Sequence, residues 1–267
     1  MENFNIPEIL DRVREIKPVV HHLTNWVTIY DCANIVKTLG GSPIMAHAPE
    51  EIDNIVSIAS SVVLNIGTLT VDFVESMKLA ARAANTRKIP VVLDVCGAGA
   101  TDLRDKKVFE LIEYTHIDII KGNASEIANV AGIKVFTKGV DASDITFDLV
   151  EVAESLAQRK SCVVVITGKH DIVSNGNTTF FIKNGHELLT HVVGTGCMVT
   201  SVIGTFAAVE KNLVVAATGG LVCFGIASEI AAEKSKGPGS FKTALFDVLY
   251  YLDKETIEDK MNMEKIK

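Results

Sequence analysis

The sequence predicts an α/β fold with a mainly parallel central sheet, and three observations support this. Short runs of β-branched residues alternate with longer amphipathic segments, as strands do when helices connect them. Two of these runs, residues 90–94 and 162–167, are apolar almost throughout, which is typical of strands buried on both faces of a parallel sheet. The 267 residues are 48% hydrophobic and 22% charged, enough apolar material for one large core. We therefore expect a single domain over residues 1–267.

The strands are predicted in chain order from the short apolar runs. They are a short strand before Asn25 and runs at residues 43–45, 61–65, 90–94, 117–120 and 162–167. Helices are predicted at residues 71–86 and 145–159, because apolar residues recur there along one helical face. Residues 171–174 and 178–182 flank Asn175-Gly176-Asn177, a hairpin signal that predicts an antiparallel pair at the sheet edge. The sheet should end there, and residues 254–267 should form a solvated terminal helix or a frayed end.

Charge and cysteine content exclude several classes of protein. A formal net charge of −7 argues against nucleic-acid binding, which usually needs a basic surface. Residues 1–18 mix acidic and basic side chains and lack the apolar core of a signal peptide, so we expect a cytoplasmic protein. The five cysteines, at positions 32, 96, 162, 197 and 223, form no C-x-x-C pair, which indicates reduced thiols rather than a zinc site.

Two uncharged stretches, residues 192–209 and 212–228, approach the length of a membrane span. Their glycine, threonine and serine content favours helices buried in a protein core, so we expect no membrane association. Membrane-spanning helices remain the alternative interpretation of these two stretches.

Functional residues are expected in the loops after strands, because ligands of open α/β sheets bind at the carboxyl ends of the strands. The richest such segment has Gly194, Thr195 and Gly196 directly before a long apolar helix. A helix start leaves several backbone N–H groups unpaired, and glycines let a ligand approach them, so this segment predicts an anion site. Cys197 lies in the first turn of the helix, where it is either a functional thiol or a small buried hydrophobe. The chain contains neither G-x-x-x-x-G-K-[ST] nor G-x-G-x-x-G, which argues against Walker-type NTPases and simple dinucleotide folds.

Two further segments carry carboxylates. Asp94 ends an apolar strand and is followed by a glycine-rich turn, so its carboxylate either faces the site or caps a turn or helix. Asn123 and Glu126 lie three residues apart at a predicted helix start. Glu126 either binds Mg²⁺, directly or through water, or closes a capping box with Asn123, and the local sequence favours the capping box.

The remaining candidates follow other strands. Thr167 precedes Gly168 at a strand end and offers a hydroxyl and an open backbone at the edge where the predicted anion site lies. Met45 also ends a strand, and its thioether suits a sulfur heterocycle, although methionine in such a position often only fills a core. His21 and His22 are adjacent in a strand and face opposite sides, so we expect no metal pair.

Six motifs, in order along the chain, resemble the hydroxyethylthiazole kinase family of the ribokinase-like superfamily. They lie between about residue 23 and residue 228 and read LTNWVT, ANIVKTLGGSPIMAHAPEEI, LDVCGAGAT, KGNASEI, VITGKHDIV and VGTGCMVT. The resemblance implies a three-layer α/β/α sandwich with a mainly parallel sheet, and a homotrimer with active sites at subunit interfaces. It also implies that ATP and Mg²⁺ are used to phosphorylate the alcohol of 4-methyl-5-(2-hydroxyethyl)thiazole, in thiamine biosynthesis or salvage.

The resemblance implies roles for individual residues as well. Cys197 has the position of the catalytic base, where related kinases more often have Asp; Met45, Gly194 and, less specifically, Asn25 have thiazole-binding positions. The implied ATP-binding residues are Lys121, Thr167 and Asn123, with Thr195 and Gly196 of the anion site beside the phosphates, and the implied Mg²⁺ residues are Glu126 and Asp94.

Two segments depart from the usual family pattern. Val95 and Cys96 stand where the family usually has Pro and Val, and Lys121 stands where it usually has Arg. Loss of the proline makes the turn less rigid, and lysine lacks the planar fork of arginine.

Four other functions are alternatives to this interpretation. A hydrate dehydratase of the same superfamily shares the glycine loop but usually has Asp in place of Cys197, and a sister kinase acts on hydroxymethylpyrimidine. The segments LTN and SPIM favour the thiazole over the pyrimidine. A thiol hydrolase would need His186 or His191 beside Cys197, and a non-catalytic thiazole-binding regulator has no sequence feature of its own in its favour.

Overall fold

The structure, a computed structural model, describes residues 5–133 and 148–267. The strands in these residues are β1 (Val19–Leu23), β2 (Ser42–Ile44), β3 (Ser61–Asn65), β4 (Val91–Asp94), β5 (Ile119–Asn123), β6 (Val163–Thr167), β7 (Asp171–Ser174), β8 (Thr179–Ile182) and β9 (Met263–Lys265). They form one sheet in the order β2-β1-β3-β4-β5-β6-β7-β8-β9. Strands β1 to β6 are parallel to one another, and β7, β8 and β9 continue the sheet in antiparallel pairs.

Helices cover both faces of this sheet. They are α1 (Ile6–Ile16), α2 (Ile29–Leu39), α3 (Ile52–Ile58), α4 (Val71–Arg87), α5 (Asp102–Tyr114), α6 (Ala124–Val130), α7 (Leu149–Lys160), α8 (Thr195–Ala207), α9 (Leu213–Glu233), α10 (Pro238–Tyr251) and α11 (Lys254–Lys260), with a short 3₁₀ helix at Glu187–His191. The strand interiors alternate between the two layers, because successive side chains of a strand point to opposite faces. In β3, Val63 packs with α1, α2 and α8–α10, whereas Val62 and Leu64 pack with α3–α7. The predicted three-layer α/β/α architecture is thus confirmed.

Most predicted elements match the structure. The runs at residues 43–45, 90–94, 117–120 and 162–167 correspond to β2, β4, β5 and β6 within two or three residues at either end. The predicted helix at 71–86 is α4, and the predicted helix at 145–159 is α7 where it is described, its first three residues lying outside the described part of the chain. The hairpin prediction is also confirmed, since Ile172 pairs with Phe181 across the β7–β8 turn.

The prediction that the sheet ends at β8 is wrong. The charged tail forms α11 and then β9, whose Met263 pairs with Ile182 on β8. A three-residue strand of Met, Glu and Lys is too short to show an alternating pattern, so no strand signal is present in these residues. Its formation satisfies backbone groups that β8 would otherwise expose at the sheet edge.

The two uncharged stretches form α8 and α9, which pack against each other in the first core layer. Within the described residues, Leu213–Glu233 is the one helix long and apolar enough to cross a membrane, and 83% of its most apolar window is buried inside the protein. Every residue from Val214 to Ser228 is buried, so protein surrounds this helix on all sides. This packing supports the interpretation of α9 as a core helix.

Helix α8 lies unusually close to the sheet because of Gly204. A Cβ added there would come within 2.3 Å of Val63 Cγ2, so only glycine permits this approach. Ser61 Oγ donates a hydrogen bond of 2.8 Å to Gly204 O at the amino end of β3. The helix therefore runs antiparallel to β3, and its first turn lies at the carboxyl edge of the sheet.

Candidate active site

The candidate site lies where the strand order of the sheet changes direction. After β1 the chain continues to β2 on one side, while β3 pairs on the other side. In doubly wound sheets the loops at such a switch point diverge and leave a crevice for a ligand. Asn25 follows β1, Asn65 ends β3, and the first turn of α8 lies against both of them.

The Cys197 sulfur accepts two hydrogen bonds from carboxamides. Asn25 Nδ2 lies 3.1 Å from this sulfur, and Asn65 Nδ2 lies 3.3 Å from it. Backbone N–H groups determine which way each carboxamide faces, because an N–H can only donate. Thr28 N donates to Asn25 Oδ1 at 3.1 Å and Gly67 N donates to Asn65 Oδ1 at 2.9 Å, so both NH₂ groups turn to the sulfur. The surrounding backbone therefore orients both carboxamides as hydrogen-bond donors to the Cys197 sulfur.

The start of α8 is open. Its N-cap, Gly194, has a φ of 95°, and an added Cβ would lie 2.5 Å from Thr28 Cγ2. No side chain of the described residues caps this helix, so the first-turn amides of Thr195, Gly196 and Cys197 remain available to a ligand. Open amides at the positive end of a helix can bind an anion, so this geometry is compatible with the anion site, which stays a prediction.

A buried ion pair lies next to this helix start. Asp94 Oδ2 accepts hydrogen bonds from Thr200 Oγ1 at 2.7 Å and from Lys121 Nζ at 3.3 Å. Lys121 Nζ also donates to Gly196 O at 3.1 Å, which places the cation beside the G-T-G segment. Asp94 Oδ1 is buried and has no hydrogen-bond partner anywhere in residues 5–133 and 148–267. Asp94 thus faces the site, and the alternative that it caps a turn or helix is wrong.

Asn123 and Glu126 form the capping box that the local sequence favours. Asn123 Oδ1 accepts from Glu126 N at 2.9 Å, and Glu126 Oε2 accepts from Asn123 N at 2.8 Å. Glu126 Oε1 also accepts from Gly97 N at 2.7 Å, which ties the turn after β4 to the start of α6. Each carboxylate oxygen of Glu126 keeps a free lone pair, so the cap and a water-mediated Mg²⁺ contact are compatible.

Charges at the site shift several pKa values. The pKa of Cys197 lies below that of an ordinary thiol, mainly because the Cys96 thiol donates a hydrogen bond to its sulfur, against the opposing effects of burial and the Asp94 carboxylate. Burial acts to lower the pKa of Lys121, but the Asp94 and Glu126 carboxylates outweigh it and raise that pKa. Burial, and then the Asp94 carboxylate, raise the pKa of Glu126.

The other predicted residues lie along the same edge. Thr167 pairs with Asn123 across β5 and β6, and its hydroxyl donates to Gly122 O at 3.4 Å. Met45 directly follows β2 and is half-buried. Close to Met45, His47 packs edge-on against Trp26, with ring centroids 4.7 Å apart, so the loops after β1 and β2 are in contact.

The side chains of the adjacent histidines His21 and His22 diverge, as expected. His21 Nε2 contacts Ala46 O, and His22 Nε2 contacts Ser201 Oγ.

Several residues that shape this site were not predicted from the sequence. Asn65 was assigned only to a strand, although a polar residue that ends a buried parallel strand is the signal that identified Asp94. Thr200 lies one helical turn after Gly196, inside an apolar helix, and nothing local marks it. Arg104 donates to the carbonyl oxygens of Ile66, Gly67 and Cys96, which holds the loops after β3 and β4 together. Its contacts are non-local and have no sequence signature.

A surface cavity of about 800 Å³ lies at the opposite edge of the sheet. Pro90, His116 and Asp118 line it at the amino ends of β4 and β5, and Lys211 closes it beside the start of α9. It contains none of the residues that surround Cys197.

The chain is similar to known proteins over nearly its whole length. The sequence model of the hydroxyethylthiazole kinase family matches residues 10–255. A hydroxyethylthiazole kinase of Methanosarcina acetivorans is 52% identical over 258 residues, which cover 97% of this chain and 99% of that protein. The solved structure of a hydroxyethylthiazole kinase protein from Pyrococcus horikoshii OT3 superposes with a TM-score of 0.91 at 40% identity and covers 98% of this chain and 99% of that one. A ribokinase-like superfamily protein from Enterococcus faecalis shares the fold alone, with a TM-score of 0.65 at 11% identity over 93% of this chain and 95% of that one.

Proposed function

We propose that this chain, which belongs to the hydroxyethylthiazole kinase family, carries out its reaction at the start of α8. The reaction of the family is phosphorylation of the hydroxyethyl group of the thiazole, with ATP as the phosphoryl donor. One observation carries the assignment of the site. The open amides of α8, the Cys197 sulfur held by two carboxamides, and the buried Asp94–Lys121 pair converge at one point of the sheet edge.

The chain's own groups suit a loose phosphoryl-transfer transition state, in which positioning and charge neutralisation matter more than a strong base. The amides of Thr195 and Gly196 and the Lys121 ammonium would neutralise charge on the phosphoryl group. Lys121 is already bonded to Gly196 O, so its charge is in place without a conformational change. Asn123 and Thr167, adjacent on β5 and β6, would bind the rest of ATP along the same edge.

We infer that Mg²⁺ is held by Asp94, and by Glu126 through water. The unpartnered, buried Asp94 Oδ1 is the observation that fits a cation, since carboxylate oxygen is the ligand that Mg²⁺ prefers and a buried carboxylate oxygen is costly to leave unpaired. When bound, Mg²⁺ would neutralise phosphate charge and orient the donor. The capping box keeps Glu126 in a single orientation facing this region.

Cys197 is proposed as the base that takes the proton of the thiazole alcohol at its sulfur. The amide donors of Asn25 and Asn65 stabilise the thiolate, and the lowered pKa of Cys197 has the sign required of a base at neutral pH. Asn65 acts through Cys197 and is therefore a positioning residue. Because the attacking oxygen gains little negative charge early in a loose transfer, a thiolate of modest basicity suffices.

The thiazole is proposed to lie between Met45, Asn25 and Gly194. Asn25 follows β1 and Met45 follows β2, the strand at the sheet edge, and Gly194 lies against the Thr28 side chain. An exposed apolar surface adjoins this position: Val27 is 67% exposed, Tyr30 77% and Val193 74%. Exposed apolar side chains beside a site support the proposal that a neighbouring subunit covers it, as in a homotrimer with interface active sites.

We further propose a cytoplasmic protein with one domain over residues 1–267, consistent with the free thiols and the continuous sheet. Light scattering should give three times the mass of one chain. Tyr30→Glu should shift the protein towards monomer and lower turnover, whereas Tyr251→Glu, at a residue 78% exposed on α10, should change neither. A monomeric native enzyme with full turnover would contradict the interface assignment.

The reaction itself is tested by coupled ADP release over a panel of acceptors. The panel contains 4-methyl-5-(2-hydroxyethyl)thiazole, the same thiazole with its hydroxyl methylated, and a hydroxymethylpyrimidine. Rapid ADP release with the first acceptor alone, with its phosphate ester identified by mass spectrometry, is the expected result. Equal turnover of the pyrimidine would assign the chain to the sister activity, and ADP release without any acceptor would contradict acceptor phosphorylation.

The location of the site is tested by a pair of buried lysines. Lys121→Met should lower kcat/KM for ATP by about 100-fold, because it removes the cation beside Gly196. Lys107→Met is the matched control: Lys107 is also buried and ion-paired, with Glu110 at 2.7 Å, but it lies on α5 away from the G-T-G segment. Similar losses of activity in the two variants would contradict the placement of the phosphates.

A further inference from the structure

The loop between β2 and α3, residues 45–51, begins with Met45 and crosses the carboxyl edge of the sheet. Across residues 5–133 and 148–267, one side-chain hydrogen bond reaches this loop from elsewhere in the chain: His21 Nε2 lies 2.7 Å from Ala46 O. The His47 ring also packs against Trp26 and Phe73, with centroids 4.7 Å and 6.2 Å away. The polar attachment of the loop is therefore made by His21, at the residue next to Met45.

His21 is fully buried on β1, opposite Ile44, the last residue of β2. A carbonyl oxygen can only accept, so Nε2 carries the proton and donates it to Ala46 O. Nδ1 is buried and has no hydrogen-bond partner among the described residues, so a second proton at Nδ1 would be unpaired. Burial lowers the pKa of His21, against the opposing effects of the Ala46 bond and the Glu51 carboxylate. The ring is therefore neutral, and its single N–H binds the loop.

The bond to Ala46 O connects the two loops between which the thiazole is proposed to lie. Strand β1 continues directly into Asn25, four residues after His21, and Asn25 Nδ2 lies 3.1 Å from the Cys197 sulfur. Met45 is the residue before Ala46 on the other loop. A buried strand residue bonded to Ala46 O therefore sets the position of Met45 relative to Asn25 and to the start of α8.

We propose that His21 is a positioning residue of the thiazole site, whose hydrogen bond to Ala46 O holds Met45 where the thiazole ring contacts it. His21 acts through the loop and does not itself touch the substrate. A loop already held in its binding position does not have to be ordered when the substrate binds, so the substrate binds more tightly. The effect on the thiazole rests on the proposed function, whereas the attachment of the loop by His21 does not.

The first test follows the loop without any substrate. Trp26 is the single tryptophan of the chain and packs against His47, so its fluorescence reports the position of the loop. His21→Met removes the N–H donor at similar volume and should shift Trp26 emission to longer wavelength and raise its quenching by acrylamide. His21→Gln, whose amide nitrogen reaches about as far as Nε2, should resemble the unaltered chain. Unchanged emission and quenching in a folded His21→Met enzyme overturn the proposal.

The second test measures steady-state kinetics of the same full-length variants. His21→Met should raise KM for the thiazole by about tenfold, with kcat and KM for ATP close to those of the unaltered chain, and His21→Gln should restore most of the loss. An equal rise in both KM values, or an unchanged KM for the thiazole, overturns the proposal. If the unaltered chain does not phosphorylate the thiazole at all, the proposed function fails, and the Trp26 fluorescence still decides whether His21 holds the loop.

Ser61→Ala is the matched control for both tests. Ser61 is also fully buried and donates from its side chain to a backbone carbonyl, Gly204 O at 2.8 Å, but it lies at the amino end of β3. This variant should unfold at lower urea concentration with Trp26 emission and both KM values unchanged. A rise in KM for the thiazole as large as that of His21→Met would show a general loosening of the sheet and overturn the assignment. If His21→Met does not fold, His21→Asn replaces it, because its shorter amide does not reach Ala46 O.

Discussion

Helices α6 and α8 begin at the same edge of the sheet, and their first turns are satisfied in opposite ways. Helix α6 carries its own cap, because Asn123 and Glu126 exchange hydrogen bonds with each other's backbone. Helix α8 begins at Gly194 and, among the described residues, has no side-chain cap. The first-turn N–H groups of any α-helix lack partners within the helix, and of these two starts only that of α8 leaves them free for a ligand. A helix start without a side-chain cap is therefore a candidate anion site, whereas a start with a capping box is not.

The two starts are nevertheless connected. Glu126 Oε1 accepts from Gly97 N, and Lys121, on β5 directly before α6, donates to Gly196 O at the start of α8. The capped start of α6 thus holds the turn after β4 and the Lys121 side chain in place beside the uncapped start of α8. We expect substitutions at α8 to affect turnover first and substitutions at α6 to affect stability first.

The largest effect is expected for Gly194→Ala, which would block the open start. The new Cβ would lie 2.5 Å from Thr28 Cγ2, at a φ of 95° that alanine rarely adopts. We expect kcat/KM to fall by about 100-fold, or ~2.7 kcal/mol of barrier. Gly132→Ala is the matched control, since Gly132 has a similar φ of 86° and no described atom within 4 Å of the added Cβ. If both variants lost stability equally and kept full turnover, the open start would have no role in catalysis.

A smaller effect, visible in the pH profile, is expected for Asn65→Leu. In the unaltered chain the pKa of Cys197 is lowered, so kcat/KM should rise with pH along an acid limb that lies below the usual thiol range. Loss of one amide donor raises the pKa of Cys197, which moves this limb to higher pH by about one unit, so turnover below the limb falls about tenfold. Turnover at high pH should converge with that of the unaltered chain. A uniform loss at every pH would indicate a structural role for Asn65 instead.

At the closed start, Asn123→Ala should chiefly lower stability. It removes the side chain that caps Glu126 N at 2.9 Å and should cost about 1 kcal/mol in the free energy of unfolding by urea. Asn123→Ser restores a capping oxygen and should recover most of that loss. A difference in KM for ATP between the serine variant and the unaltered chain would then report contact of the Asn123 amide with the nucleotide. An unchanged unfolding free energy in the alanine variant would contradict the cap.

The smallest effect is expected for Cys197→Asp. A carboxylate can accept the same two carboxamide hydrogen bonds and is a stronger proton acceptor in transfer than an uncharged thiol, so turnover should be retained or rise. Steady-state kinetics with saturating ATP and thiazole measure this. A loss greater than about tenfold, ~1.4 kcal/mol of barrier, would contradict the role of residue 197 as a base.

Local patterns accounted for most of the fold and part of the site. Continuous apolar runs identified the parallel strands, and Asn-Gly-Asn identified the β7–β8 hairpin, because these signals arise within a few residues. Strand β9 escaped prediction because a three-residue edge strand has no pattern of its own. At the site, Asp94 and the G-T-G segment were found by their position after a strand and before a helix.

The amino-acid sequence alone was enough to identify an α/β sandwich and membership of a kinase family, and to predict an anion site at the helix start after Gly194, because each depends on short-range patterns or on motifs in sequence order. Folding was needed to bring together groups from distant strands. Asn25 and Asn65 meet the Cys197 sulfur through contacts across 172 and 132 positions, respectively, and no local pattern encodes such contacts. The Asn25 and Asn65 NH₂ groups face the sulfur because the backbone N–H groups of Thr28 and Gly67 bind the carboxamide oxygens. The NH₂ groups and the sulfur lie within hydrogen-bond distance only when the loops after β1 and β3 and the start of α8 are packed together.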